Sequence, residues 1–141
     1  MPQTSPGTVT RRVEARLLLL PEACDVSLTT QLHYDASDPF AVTATFLFGD
    51  GVELDWVLAR DLLAEGLHRQ TGEGDVALGP SSEPGSTDVE LTLSARHGHA
   101  RVALPTATLA AFLQDSHQIV PPGTESEHLD LDTTIWRLLS A

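Results

Sequence analysis

Residues 41–58 read AVTATFLFGDGVELDWVL. Two runs of alternating apolar and polar residues flank Gly49-Asp50-Gly51, the pattern of a β-hairpin. Its register is the deciding question, because slipping one strand by a single residue sends every side chain to the opposite face. A two-residue loop would set Phe46 against Glu53 or Asp55. A three-residue loop sets Phe48 against Val52, Phe46 against Leu54, Ala44 against Trp56 and Val42 against Leu58. Every apolar residue then meets another, and Gly51 falls on the left-handed position that such loops need. The stretch therefore predicts an antiparallel hairpin with one continuous apolar face.

The same logic extends outward. Residues 9–20 read as a strand in which Val13, Ala15, Leu17 and Leu19 alternate with Arg12, Glu14 and Arg16. In 26–34, Val26, Leu28, Leu32 and Tyr34 share one face, and Ser27, Thr29, Gln31 and His33 share the other. DASDP at 35–39 is a turn. A second hairpin spans 87–104. A two-residue loop at His97-Gly98 would put Leu93 beside Val102 and Leu91 beside Leu104. A short strand at 74–79 precedes it, across the polar loop PSSEPGST. Helical spacing appears at 59–66, with Gly66 as terminator, and at 106–118, where Leu109, Phe112 and Leu113 form a stripe ahead of Pro121-Pro122. A last helix is expected over 132–140, with Asp132 as N-cap and Ile135, Leu138 and Leu139 as its apolar stripe. Residues 1–8, MPQTSPGT, read as a disordered tail. One domain fills 9–141, of the α+β class with mostly antiparallel strands.

Composition narrows the function. Twenty acidic residues face eight basic ones, for a formal net charge of −12. All eight basic residues are Arg, and the chain has no Lys. A continuous basic face for nucleic acid is hard to build from so few cations, and an anionic membrane surface is disfavoured for the same reason. The longest apolar run is LLLL at 17–20, closed by Pro21, far short of the roughly 20 residues that span a bilayer. The expectation is a cytoplasmic protein without direct membrane insertion. Cys24 stands alone and can form no internal disulfide.

The stretch ARDLLAEGLHRQTGEGD at 59–75 carries catalytic residue types, but their spacing does not support catalysis. A phosphate loop needs G-x-x-x-x-G-K-[ST], and here the glycines are misplaced and Lys is lacking. Asp61, Glu65 and His68 could share a helical face only if the helix ran past Gly66, and that face would look to solvent because Leu62, Leu63 and Leu67 take the apolar side. Arg60 and Arg69 then read as members of surface ion pairs. His97-Gly98-His99 offers two imidazoles without the third or fourth ligand of a zinc site. Anions at Glu22 and Asp25 oppose thiolate formation at Cys24. In ESEHLDLD at 125–132, Thr124 and Glu127 fit a capping box better than a calcium loop. No catalytic residue, metal site or cofactor is expected.

What remains is interaction. Leu18, Leu20 and Leu47 sit on strand faces opposite the expected core. Trp136 lies beside the stripe of the last helix, and Trp is enriched at binding hot spots. Together with Arg60, His68 and Arg69, these are the candidate partner-binding residues, although Arg60, His68 and Arg69 fit a structural corner better.

Three segments, LHYDASDPFAVTATF (32–46), DWVLARDLLAEGLHRQTGEGDV (55–76) and VPPGTESEHLDLD (120–132), resemble the signature blocks of the SsgA-like proteins, which control sporulation-specific cell division in actinobacteria. The resemblance runs from about Val13 to the C-terminus. It implies a curved, barrel-like antiparallel sheet of about six or seven strands with two or three helices, similar to the Whirly fold and assembled as a bell-shaped homotrimer. It implies a non-enzymatic protein that recruits the tubulin-like division protein FtsZ to septum sites and promotes its polymerisation. SsgA and membrane-associated division proteins are the further partners it implies. The alternative is a nucleic-acid-binding module inherited from a Whirly-like fold, which would need Arg11, Arg12, Arg16, Arg96 and Arg101 on one face.

Overall fold

The computed structural model describes residues 3–5, 7–18, 25–96 and 98–128. Leu20, Cys24, His97, Trp136 and the helix expected over 132–140 lie outside the described residues.

Nine strands and two helices follow one another as β1 (Gln3–Ser5), β2 (Thr8–Leu18), β3 (Asp25–Asp35), β4 (Ala41–Leu47), β5 (Glu53–Ala59), α1 (Arg60–Gly66), β6 (Thr71–Glu73), β7 (Val76–Pro80), β8 (Asp88–Ala95), β9 (Gly98–Pro105) and α2 (Thr106–Ile119). A 3-10 turn at Glu125–His128 comes after them. The strands make one antiparallel sheet in the order β5-β4-β3-β2-β9-β8-β7-β6, with β1 beside β2. The sheet curls into a half-barrel. Two short strands, β1 and β6, raise the count above the six or seven expected. Gln3–Ser5, assigned to a disordered tail by composition, instead pair with Thr8–Thr10. β9 meets only Arg16–Leu18 of β2, which leaves the other end of that edge available to β1.

The 41–58 hairpin has the register that hydrophobic matching selects. Val42 faces Leu58, Ala44 faces Trp56 and Phe46 faces Leu54. The Phe48 N–H donates to the Val52 carbonyl at 2.9 Å, and Gly51 takes φ 84°. The second hairpin differs from its expected register. Ala95 lies opposite Gly98, Leu93 opposite Ala100, Leu91 opposite Val102 and Val89 opposite Leu104. The expected pairing was two residues out of step. A two-residue shift keeps every side chain on its own face, so alternation cannot separate these registers. The observed one pairs all of β8 with all of β9.

Buried side chains line the concave face: Val9, Val13 and Ala15 of β2, Leu28, Leu32 and Tyr34 of β3, Val42, Ala44 and Phe46 of β4, and Val89, Leu91, Val102 and Leu104 of β8 and β9. α2 packs on β2 and β9 within this concavity and touches α1. Its buried residues are Leu109, Phe112, Leu113 and Ser116. Fully burying a Leu or Phe contributes about 1.5–3 kcal/mol, which fixes the helix by its apolar stripe. α1 leaves β5 and packs on β6 and β7, joining the two margins of the curled sheet.

Gly66 does not end α1 in a left-handed conformation. It is the last helical residue, and the residue after it, Leu67, stays right-handed at φ −64°. A Cβ at Gly66 would come within 2.6 Å of the Leu78 side chain. Gly66 therefore sets how closely α1 approaches β7.

Candidate functional site

The corner where β5 turns into α1 is built on Arg60. It was expected on the surface, yet it is only 1% exposed. The reason is its place in the chain. β5 delivers Arg60 beneath the C-terminal end of α2, where helix carbonyls lack intrahelical partners. Arg60 Nη1 donates to the Ser116 carbonyl at 3.2 Å and to the Val120 carbonyl at 2.8 Å. Nη2 lies 3.1 Å from Glu125 Oε2. The guanidinium carbon sits 4.8 Å from the centre of the Tyr34 ring, a cation–π geometry. Tyr34 in turn donates its hydroxyl to the Pro39 carbonyl at 3.0 Å.

Glu125 completes this cluster. The capping-box reading of its segment does not hold, because the Thr124 hydroxyl donates back to the Pro121 carbonyl at 2.7 Å. Glu125 turns inward instead and is buried. Its carboxyl is held below the usual range, first by its own backbone N–H, then by Arg60 and the Gly123 N–H, against the opposing effect of burial. Burial raises the Tyr34 pKa, with Arg60 opposing. His117 is pushed down by burial and by Arg60, against Asp61 and Glu125. The cluster ties α1, α2, the 3-10 turn and β3 together, although the buried Arg60 Nε makes no hydrogen bond within it.

Arg69 behaves as expected. It pairs with Glu65 one helical turn away and is exposed. Glu65 also accepts from the Thr71 hydroxyl at 3.2 Å. Its carboxyl is lowered by the Arg69 and Thr71 hydrogen bonds, so it is ionised and engaged. Asp61 and Glu65 border a hollow of about 350 Å³ with Glu73, but His68 is not among its lining residues. The trio Asp61, Glu65 and His68 therefore does not converge. His68 is exposed. Among the described residues no cluster of His, Cys, Asp or Glu is arranged to hold a metal.

Leu18 and Leu47 lie on the convex face, both half-buried. Leu18 pairs with Asp25 and Arg101, and Leu47 with Thr29 and Glu53. Ser27 and Thr29 both donate to Glu14 on that face, so a polar ladder separates the two leucines and they form no patch. The arginines of the nucleic-acid reading fall on both faces, Arg11 on the concave side and Arg12, Arg16 and Arg101 on the convex one, and three of them are paired with carboxylates. Arg11 pairs with Asp115, Arg16 with Asp88 and Arg101 with Glu90. Pairing with carboxylates leaves little positive field for phosphates.

The apolar opening is on the other face. At the end of the concavity away from α2, a groove of about 430 Å³ runs between the tips of the two long hairpins. Leu28, Phe46, Phe48, Leu54 and Trp56 line it toward β5 and Leu93 and Ala100 toward β8, with Leu17 and Val102, paired across β2 and β9, between them and the exposed Arg96 and His99 at its edge. Leu54 is 47% exposed and Val52 at the tip 53%. Sequence reasoning had placed the Phe46, Phe48, Leu54 and Trp56 row on the core face. Alternation assigns the face correctly, but it carries no information about whether anything covers that face.

Among the described residues no helix is long and apolar enough to cross a membrane. Residues 28–125 match the family model of the Streptomyces sporulation and cell division protein SsgA. The chain is 43% identical over 133 residues to the sporulation-specific cell division protein SsgB of Streptomyces coelicolor, covering 94% of this chain and 96% of that one. It is 39% identical to SsgB of Thermobifida fusca, over 87% of this chain and 89% of the relative. Two solved structures share the fold. One comes from work relating SsgB mutations to longitudinal cell division in S. coelicolor sporulation, with TM-score 0.81, 41% identity and coverage of 90% of this chain and 100% of that one. The other is the SsgA-like sporulation-specific cell division protein of T. fusca, with TM-score 0.83, 37% identity and coverage of 96% and 98%. This half-barrel chain, similar along nearly its full length to these proteins, belongs to the SsgA family of sporulation and cell division proteins.

Proposed function

We propose that this protein is a non-enzymatic septation scaffold of sporulating cells. It recruits FtsZ to septum sites and promotes its polymerisation, together with SsgA and membrane-associated division proteins. The observation that carries this reading is the similarity to SsgB along almost the whole of both chains. A match from end to end supports the same domain and, with it, the same role.

Self-association supplies the mechanism. β5 ends the sheet, and Val57 on it is 66% exposed. An uncovered edge strand carrying apolar side chains is a template for a further chain. A homotrimer with a Whirly-like subunit arrangement would present three weak FtsZ sites, and multivalency raises effective concentration along a filament without any new contact. The test is sedimentation of FtsZ filaments with and without the protein, alongside its mass in solution. More pelleted polymer with a trimeric protein is expected. Unchanged polymer, or polymer promotion by a monomer at equal chain concentration, would overturn the mechanism.

A further inference from the structure

We propose that the groove between the hairpin tips is the docking site of residues 129–141 of the same chain. Two observations converge on this occupant. The groove is apolar, lined by Leu54 and Trp56 on the β5 side and by Leu93 on β8, and among the described residues nothing covers it. An apolar cavity of about 150 Å³ accommodates benzene, so a groove of about 430 Å³ takes two or three large apolar side chains. Residues 129–141, LDLDTTIWRLLSA, supply Leu129, Leu131, Ile135, Trp136, Leu138 and Leu139. That density of large apolar residues is costly to leave in water.

Reach is the second argument. Glu125 is anchored on Arg60, at the start of α1 directly after β5. Leu54 precedes Arg60 by six residues along β5, about 20 Å at strand rise. Three extended residues followed by the nine-residue helix expected over 132–140 reach about 24 Å. A chain leaving Glu125 on the side of the concavity can therefore lay its apolar stripe along the groove.

The placement can be read with a spin label on the full chain. Cys24→Ser removes the native thiol, and Ala141→Cys takes a nitroxide without altering the apolar stripe. The reporter is the Trp56 indole N–H signal of the isotope-labelled protein, assigned against Trp136→Phe. Loss of that signal in the spin-labelled chain, and its return when the nitroxide is reduced, is the expected result. Adding Leu138→Asp and Leu139→Asp should restore the signal with the label still active. A second sample mixes isotope-labelled chains lacking the nitroxide with unlabelled chains that carry it. Loss of the Trp56 signal in this mixture as well would overturn the proposal in favour of a second copy covering the groove, because there the label and the reporter sit on different chains. Full intensity in both samples would overturn it as well.

Discussion

The two ends of the curled sheet are made from the same strands and finished differently. At one end α2 fills the concavity, and the Arg60, Glu125 and Tyr34 cluster locks the helix end in place. At the other end the same strands carry Leu17, Leu28, Phe46 and Trp56 into an open groove. The closed end contains a buried charge pair and tolerates it because each member is held by further groups. The open end is lined almost wholly by apolar atoms, and among the described residues nothing covers it. Apolar character therefore does not decide which end is sealed. That depends on where the one long helix of the described chain lies.

The contrast is broken most severely at the ion pair. Removing one member leaves the other charge buried and uncompensated. Glu125→Ala and Arg60→Met should each lower the unfolding free energy by about 3–5 kcal/mol in denaturant titrations. The double variant Arg60→Met, Glu125→Leu should lose less than the sum of the singles, since neither charge is then stranded. Acid should act on the same site. The Glu125 carboxyl is depressed in the fold, so its stabilisation is complete above its unfolded value near 4.5 and disappears as pH falls through the lower folded value. Glu125→Gln should flatten this limb of the stability curve below pH 4.5.

The approach of α1 to β7 comes next in size. Gly66→Ala forces a Cβ against Leu78 and should cost about 1–3 kcal/mol, measured by thermal or chemical unfolding. At the open end Leu54→Asp should cost about 0.5–1.5 kcal/mol, because it puts a carboxylate on a half-buried apolar wall and displaces the segment proposed to cover it. The same substitution should abolish protection of the Trp56 indole from solvent quenchers. Arg69→Ala, which removes an exposed pair, should leave the unfolding midpoint indistinguishable from that of the parent protein, at low salt and at 1 M salt alike.

The sequence was most legible where short-range pattern carries the answer. The register of the 41–58 hairpin followed from matching apolar residues across a loop with Gly51 in place. The stripe of α2 at Leu109, Phe112 and Leu113 followed from helical spacing. The second hairpin was legible only in part, because registers two residues apart leave its faces unchanged. β1 and β6 escaped because three residues are too few for a period to show. Arg60 was misplaced on the surface because its partners are far along the chain. Ser116, Val120 and Glu125 stand 56, 60 and 65 residues away.

Alternation and turn chemistry alone thus determined which side of each long strand is apolar, where the first hairpin bends and that a helix follows the last strand. These are properties of neighbouring residues, and the backbone period expresses them directly. Tertiary structure alone decided that Arg60 is buried and Arg69 is not, that Glu125 turns inward to meet Arg60, and that, among the described residues, one end of the concavity is filled and the other is left uncovered. Each of those outcomes depends on closing long loops and on which groups lose their water when the loops close. No local pattern encodes that.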